Sequence, residues 1–314
     1  MERHRELIEA RIKEWCGTLP DNGLYAPMVY LMGLPAKRVR PALVLMGCEL
    51  FGGRPEDAIE EAIGIELFHN FTLMHDDIMD KSPLRRGMPT VHEKWSTDTA
   101  ILSGDAMLVK AYQALGRYPE VHTAFSHCSL EVCEGQQLDM DFEQRDDVSV
   151  EEYMEMIRLK TAVLLAGALR IGAIIAGAPT EDQDRIAAFG EHLGLAFQLR
   201  DDVLDAFGDP ARTGKQRGGD LRAGKKTFLL IRGLERAAEN RTGILRDELL
   251  KRTEDRDVPR MLGILETLGV RDEAERMCIQ HHRQANGILI AIDASDDRKA
   301  PLIALADLLV DRSS

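Results

Sequence analysis

Twelve prolines in 314 residues are spread so unevenly that six long windows carry none: 56–82, 90–118, 120–178, 180–209, 211–258 and 260–300. Proline inside a helix removes a hydrogen bond and clashes with the preceding turn, so windows of this length are where helices can run. Ala, Leu, Met, Glu, Arg, Gln and Ile dominate them, which are mostly strong helix formers. Alternating Val/Thr/Tyr runs joined by Asn-Gly or Asp-Gly, the mark of β-hairpins, are missing. The pattern predicts an all-α fold. Breaks are expected at Gly52-Gly53-Arg54-Pro55, Pro83 to Pro89, Tyr118-Pro119, Gly177-Ala178-Pro179, Gly208-Asp209-Pro210 and Thr213 to Gly224. None of these is long or simple enough to link domains, so residues 1–314 read as a single domain.

The charge balance limits the partners. Forty Lys and Arg stand against 53 Asp and Glu, a net charge of -13, which disfavours nucleic acid. The five cysteines (Cys16, Cys48, Cys128, Cys133, Cys278) are scattered, without the spacing of a zinc site. They fit reduced thiols in a cytoplasmic protein. Glu2, Arg3, His4, Arg5 and Glu6 cannot form the apolar core of a signal peptide. The most apolar stretch, Val163 to Ala178, contains Arg170 and is too short to span a bilayer.

One five-residue pattern occurs twice. Asp76-Asp77-Ile78-Met79-Asp80 returns as Asp201-Asp202-Val203-Leu204-Asp205. With 27 aspartates, chance gives one D-D-x-x-D in about one chain in five, and a pair far less often. On a helix the first and last aspartates of each motif share a face, where like charges repel. A single motif could be a solvated acidic face. Both, however, end apolar helical stretches (Phe68, Phe71, Leu73 and Met74; Leu195, Ala196, Phe197 and Leu199), and partly buried carboxylates there need a cation. An all-oxygen donor set selects a hard ion. Mg2+ fits, because it is commonly held by one or two carboxylates, waters and substrate phosphate oxygens.

Basic clusters follow the same logic. They are Lys37-Arg38-Val39-Arg40, Arg85-Arg86-Gly87, and the glycine-rich loop from Lys215 to Lys226. Any one alone would be read as solvated surface. Two of them, however, start shortly after an acidic motif, the arrangement a Mg-diphosphate needs.

At this point the chain closely resembles the trans-prenyltransferases, or polyprenyl diphosphate synthases, from about Lys37 to Thr227. The resemblance rests on K-R-V-R-P at 37–41, H-N-F-T-L-M-H-D-D-I-M-D at 69–80, R-R-G at 85–87, G-Q-Q-L-D at 135–139, K-T at 160–161, F-Q-L-R-D-D-V-L-D at 197–205 and G-K-Q-R-G-G-D-L-R-A-G-K-K-T at 214–227. It implies an isoprenoid synthase fold, helices around a deep central cavity with both aspartate motifs at its mouth, as a homodimer. It also implies ionisation of an allylic diphosphate, attack on the carbocation by isopentenyl diphosphate, and loss of a proton. Carried over residue by residue, Asp76, Asp80 and Asp201 would hold three Mg2+ ions, with Asp77, Asp202 and Asp205 in support. Arg85, Lys160, Thr161, Gln198, Lys215 and Lys225 would contact the allylic substrate, and Lys37, Arg40, His69 and Arg86 the isopentenyl diphosphate. Pro35 and Ala36 stand where the family usually has two glycines, which removes one expected backbone contact.

Product length is expected to depend on what blocks the cavity below the first motif. On an ideal helix Phe71 lies about 7.5 Å and Phe68 about 12 Å from Asp76 along the axis. Helix geometry gives that depth, while the direction into the cavity follows from the resemblance. With Thr72 beside Phe71, a twenty-carbon geranylgeranyl product is favoured over a fifteen-carbon farnesyl one. A terpene cyclase would leave Lys37/Arg40 and Arg85/Arg86 without purpose. An HD-type phosphohydrolase built on His75-Asp76 would leave Asp201 to Asp205 unexplained. A non-catalytic subunit would be expected to have a degraded aspartate motif, and both are intact.

Overall fold

The computed structural model describes residues 1–116, 118–209 and 217–310. Its helices are α1 (Glu2–Gly17), α2 (Ala26–Met32), α3 (Val39–Leu50), α4 (Ile59–Met79), α5 (Val91–Lys94), α6 (Thr97–Ala114), α7 (Pro119–Glu143), α8 (Val150–Ile157), α9 (Val163–Ile175) and α10 (Thr180–Phe207). Five more follow, at Gly219–Ala223, Phe228–Glu239, Ile244–Leu249, Val258–Thr267 and Val270–Ala291, and then Asp296–Val310. Among the described residues the extended structure is one ribbon, β1 (Leu84–Arg85) paired antiparallel with β2 (Met88–Pro89). The all-α expectation holds, and the expected breaks at 52–55, 83–89, 118–119 and 177–179 each separate two helices. Pro210 and residues 213–216 of the last two expected breaks lie outside the described residues, and the end of the last one is the short helix Gly219–Ala223.

Local chemistry explains the helix starts. Ser149 opens α8 with a capping box: its hydroxyl accepts from Glu152 N at 3.2 Å, and the Glu152 carboxylate accepts from Ser149 N at 2.9 Å. Prolines sit where an N–H is dispensable, as at Pro119, the first residue of α7. Pro301 lies inside the last helix, a position that proline normally disfavours.

The chain divides into two compact units. The first comprises Met1–Ser129, Gly167–Ala187 and Ala294–Pro301, and the second Leu130–Ala166, Ala188–Asp293 and Leu302–Ser314. In the first unit α4 is central. Ala62, Ile63, Ile65, Leu67, Phe68 and Met74 are all buried, so it is apolar around most of its circumference. The core of the second unit gathers Tyr153, Met156, Leu199, Phe228, Leu230, Leu265 and their neighbours. Among the described residues no helix is long and apolar enough to cross a membrane.

Candidate active site

The first aspartate motif closes α4. Asp80 is the C-cap residue, its N–H bonded to Asp76 O at 2.8 Å. Three carboxylates therefore crowd the negative end of the helix dipole, where cations rather than anions are stabilised. Asp77 is buried and already engaged: Arg85 Nε donates to its two oxygens at 2.9 and 2.8 Å, and Arg85 Nη2 donates to Oδ1 at 2.7 Å. The ribbon delivers Arg85. Arg86 (φ 55°) and Gly87 (φ 77°) form its two-residue turn, both in the left-handed region that such hairpin turns require. Asp76 is half-buried and Asp80 exposed, one turn apart. His75, by contrast, lies within hydrogen-bonding distance of Ile101 O at 3.2 Å and packs against Gly104, where a Cβ would come within 2.3 Å of its Nε2.

A cationic group lies near the same helix. Arg40 Nη1 is 3.2 Å from His69 Nε2, and Arg40 Nε is buried without a hydrogen-bond partner. Burial lowers the Arg40 pKa to about 10, with Arg86 pushing the same way and Glu66 opposing. His69 is held well below its ordinary value by burial and then by Arg40, Arg86, Arg85 and Arg38, so its ring is neutral at physiological pH. Burial also lowers Arg86. An anion would relieve all three costs at once. Lys37 is exposed. Farther back along α4, Phe71 meets His75 (ring centroids 4.8 Å apart) and Phe68 (5.7 Å), and Phe68 meets Phe125 edge-on at 5.3 Å.

The second unit holds the other set. Lys160 and Thr161 lie in a π-helical stretch, Arg158–Ala162, between α8 and α9. Two glycines make room for it. A Cβ on Gly135 would come within 2.3 Å of Lys160 N, and one on Gly194 within 2.4 Å of Ala162 Cα. One turn after each glycine stands a polar partner. Asp139 Oδ2 receives Lys160 Nζ at 2.5 Å and has Lys225 Nζ at 3.6 Å. Gln198 Oε1 accepts from the Thr161 hydroxyl at 3.2 Å. Burial works against the charged form of Asp139, yet Lys225 and Lys160 outweigh it and hold its pKa below the ordinary value.

Asp202 continues this chain of polar contacts. Gln198 Nε2 donates to Asp202 Oδ1 at 3.2 Å, and the buried Tyr153 hydroxyl donates to Oδ2. Burial raises the Asp202 pKa to about 7, against those two hydrogen bonds and helped by Asp220. Tyr153 is raised well above its ordinary value, by burial and then by Asp202. Asp205 Oδ2 accepts from Asp220 N at 3.0 Å, tying the end of α10 to Gly219–Ala223. Asp201 is half-buried beside them. Lys215 lies outside the described residues.

The donors suit the inferred ion. Among the described residues no three His, Cys, Asp or Glu side chains close into a metal cage. Carboxylates offered singly or in pairs, at helix ends that disfavour negative charge, suit Mg2+ completed by water and phosphate oxygens.

Several contributors have no clear mark in the sequence. Arg38, Glu66 and Asn70 form a buried polar group in the first unit; the usable hint was a glutamate inside the apolar run Ile65-Glu66-Leu67-Phe68. Asp139 stands in the quoted G-Q-Q-L-D, without a role assigned from the sequence. Tyr153 carries no signal at all.

Known proteins with similar sequences and structures point to one family. The family model described as Polyprenyl synthetase matches residues 21–265. The chain is 37 % identical to the short chain isoprenyl diphosphate synthase of Methanothermobacter thermautotrophicus, covering 99 % of this chain and 97 % of that one. A geranylgeranyl pyrophosphate synthase crystal structure superposes with a TM-score of 0.94 at 40 % identity, over 100 % of this chain and 99 % of the other. The geranylgeranyl pyrophosphate synthase of Corynebacterium glutamicum, crystallised with isoprenyl diphosphate and magnesium, gives a TM-score of 0.88 at 31 % identity, over 98 % of each chain.

Proposed function

The chain belongs to the polyprenyl synthetase family and is a prenyltransferase of the isoprenoid synthase fold, and from that premise we propose that it joins isopentenyl diphosphate head to tail to an allylic diphosphate, with Mg2+, with geranylgeranyl diphosphate as the favoured final product and farnesyl diphosphate as the second choice. The observation that carries this reading is the pair of aspartate motifs at the C-terminal ends of α4 and α10, each with buried or half-buried cations in its own unit.

Asp76, Asp80 and Asp201 are the carboxylates we assign to Mg2+, supported by Asp77, Asp202 and Asp205. When bound, the metal neutralises charge on the diphosphate and eases its departure. The remaining work falls to side chains. Arg85, Lys160 and Lys225 supply fixed N–H donors for the negative charge that develops as the allylic C–O bond breaks and its electron pair leaves with diphosphate. Thr161 and Gln198 orient that group, and Lys215 is assigned beside them from the sequence alone. Arg40 and Arg86, with Lys37, hold the isopentenyl diphosphate, and neutral His69 offers a hydrogen bond without adding charge. The double bond of that substrate then attacks the cation, and a proton leaves the adjacent carbon. Phe68 and Phe71 keep water from the cation and limit chain growth.

The family match runs across both units, which supports one catalytic domain over residues 1–314. Exposed Leu102 and Val109, two turns apart on α6, support a homodimer. A cytoplasmic location fits the sequence reading.

The test is incubation of the purified chain with isopentenyl diphosphate and five-, ten- or fifteen-carbon allylic diphosphates, with Mg2+ or with chelator. Longer prenyl diphosphates are expected with Mg2+ alone, chiefly of twenty carbons. Asp76→Ala and Asp201→Ala should each lose about 100-fold or more in turnover while keeping the helical circular dichroism spectrum. Full turnover in a folded Asp201→Ala protein would remove the metal assignment. Phosphate release without chain growth would indicate a hydrolase, and a cyclic hydrocarbon a cyclase.

A further inference from the structure

Lys37, Arg38 and Arg40 are close neighbours in sequence, but Arg38 is buried on hydrogen-bond partners that Arg40 does not share, whereas Lys37 is exposed. It precedes α3 with φ 50° and ψ 39°, a left-handed conformation uncommon outside glycine. Its side chain is 1 % exposed, and three of its N–H groups point to three different elements. Nε donates to Glu9 Oε1 on α1 at 2.8 Å, Nη1 to Glu66 Oε1 on α4 at 2.6 Å, and Nη2 to Met32 O at the end of α2 at 2.5 Å. One guanidinium thereby fixes α1, α2 and α4 against the start of α3.

Glu66 connects this anchor to the cationic group. Its Oε1 also accepts from Asn70 Nδ2 at 3.2 Å, and Asn70 follows His69, whose ring meets Arg40. The two arginines thus dock about one turn apart on α4, at Glu66 and His69. Glu66 is a nearby negative charge common to Arg38, Arg40 and Arg86, and it accepts a hydrogen bond directly from Arg38. The charge on Arg38 is spent inside the protein, while that on Arg40 faces a ring nitrogen of neutral His69.

We propose that Arg38 is a positioning residue for isopentenyl diphosphate: by engaging Glu66 and fixing the left-handed turn before α3, it aims Arg40 and Lys37 at the diphosphate without touching it. This rests on the reading of Lys37, Arg40 and Arg86 as the isopentenyl diphosphate site. Arginine suits this place because Nε, Nη1 and Nη2 are held in one rigid plane and reach three separate partners, whereas an ammonium offers its three donors from a single nitrogen.

Arg38→Lys keeps the charge and loses the fork. In steady-state kinetics the KM for isopentenyl diphosphate should rise about tenfold, while kcat and the KM for the allylic partner stay within about twofold. A purely structural role would lower the melting temperature and the active fraction without separating the two KM values. An unchanged KM for isopentenyl diphosphate, or equal rises in both, in a folded variant overturns the proposal. Should Arg38→Lys fail to fold, Glu9→Ala removes one of the three partners from a half-exposed position; a twofold to fourfold rise, of the order expected for one lost contact, is expected there, and no rise overturns the proposal. A wild-type chain that condenses nothing would refute the functional reading instead. Calorimetric titration with inorganic pyrophosphate in the absence of Mg2+ then decides: weaker binding in both Arg38→Lys and Arg40→Gln upholds the positioning role, and unchanged binding in Arg38→Lys overturns it.

Discussion

Phe71 shows what a single side chain contributes. It is half-buried on α4, with its ring against His75 on one side and Phe68 on the other, and Phe68 is backed by Phe125. Removing the ring opens space bounded by Phe68 rather than by solvent. Phe71→Ala should therefore shift the products to longer chains, read by chromatography, at a stability cost below the roughly 3–5 kcal/mol of a fully buried phenylalanine. Unaltered chain lengths would remove Phe71 as the floor. At this scale the sequence was informative about residue types and less so about their partners. The D-D-x-x-D pattern reveals six carboxylates, yet it cannot show that Asp77 is clasped by Arg85, Asp202 by Tyr153 and Gln198, and Asp205 by the Asp220 amide. Those partners come from residues up to 49 positions away, brought together by tertiary packing rather than by any local pattern.

The element that most repays attention is the π-helical stretch Arg158–Ala162. A wide turn inside a helix is rare and often coincides with a working site, and here it carries Lys160 and Thr161. It fits because α7 and α10 present glycine where it passes. Gly135→Ala would place a methyl 2.3 Å from a backbone nitrogen that cannot swing away. We expect that variant to lose about 1–3 kcal/mol of stability and to lower kcat/KM for the allylic substrate, measured by thermal melting and kinetics. Gly287→Ala is the control. Nothing lies within 4 Å of a Cβ there, inside a helix, so it should be neutral or stabilising. Helix existence and most breaks were legible from proline and glycine placement. The π stretch was not, because Arg-Leu-Lys-Thr-Ala has ordinary helical composition and its register is imposed by neighbours. The β-ribbon was missed for a related reason: its turn uses Arg-Gly, outside the usual Asn-Gly and Asp-Gly pairs.

At the scale of the whole molecule, stability should depend on pH through a pair outside the proposed chemistry. His192 Nδ1 on α10 and His281 Nδ1 on Val270–Ala291 lie 3.0 Å apart. Burial lowers both pKa values, with Glu191 opposing at His192 and His192 adding to the effect at His281. A histidine held below its unfolded value of 6.5 binds fewer protons when folded. Its neutral-form stability is thus fully present above about pH 6.5 and is lost as pH falls below it. Melting temperature should fall on acidification from pH 7.5 to 5, and His281→Gln should flatten that slope. A slope identical to wild type would exclude the pair as its source. The division into two compact units had no sequence signature, since four of its five boundaries fall inside helices and none in a composition-marked linker.

Both aspartate motifs occupy the C-terminal turns of their helices, the place where the backbone's own field is least hospitable to them. Selection for robustness and selection for turnover therefore pull on these positions in opposite directions. Six residues that would be poor choices for holding a helix together persist at its ends, so heat tolerance in this chain has to be built elsewhere, in its cores and caps. An engineer seeking a sturdier version should leave these helix ends as they are and start from open sites such as Gly287.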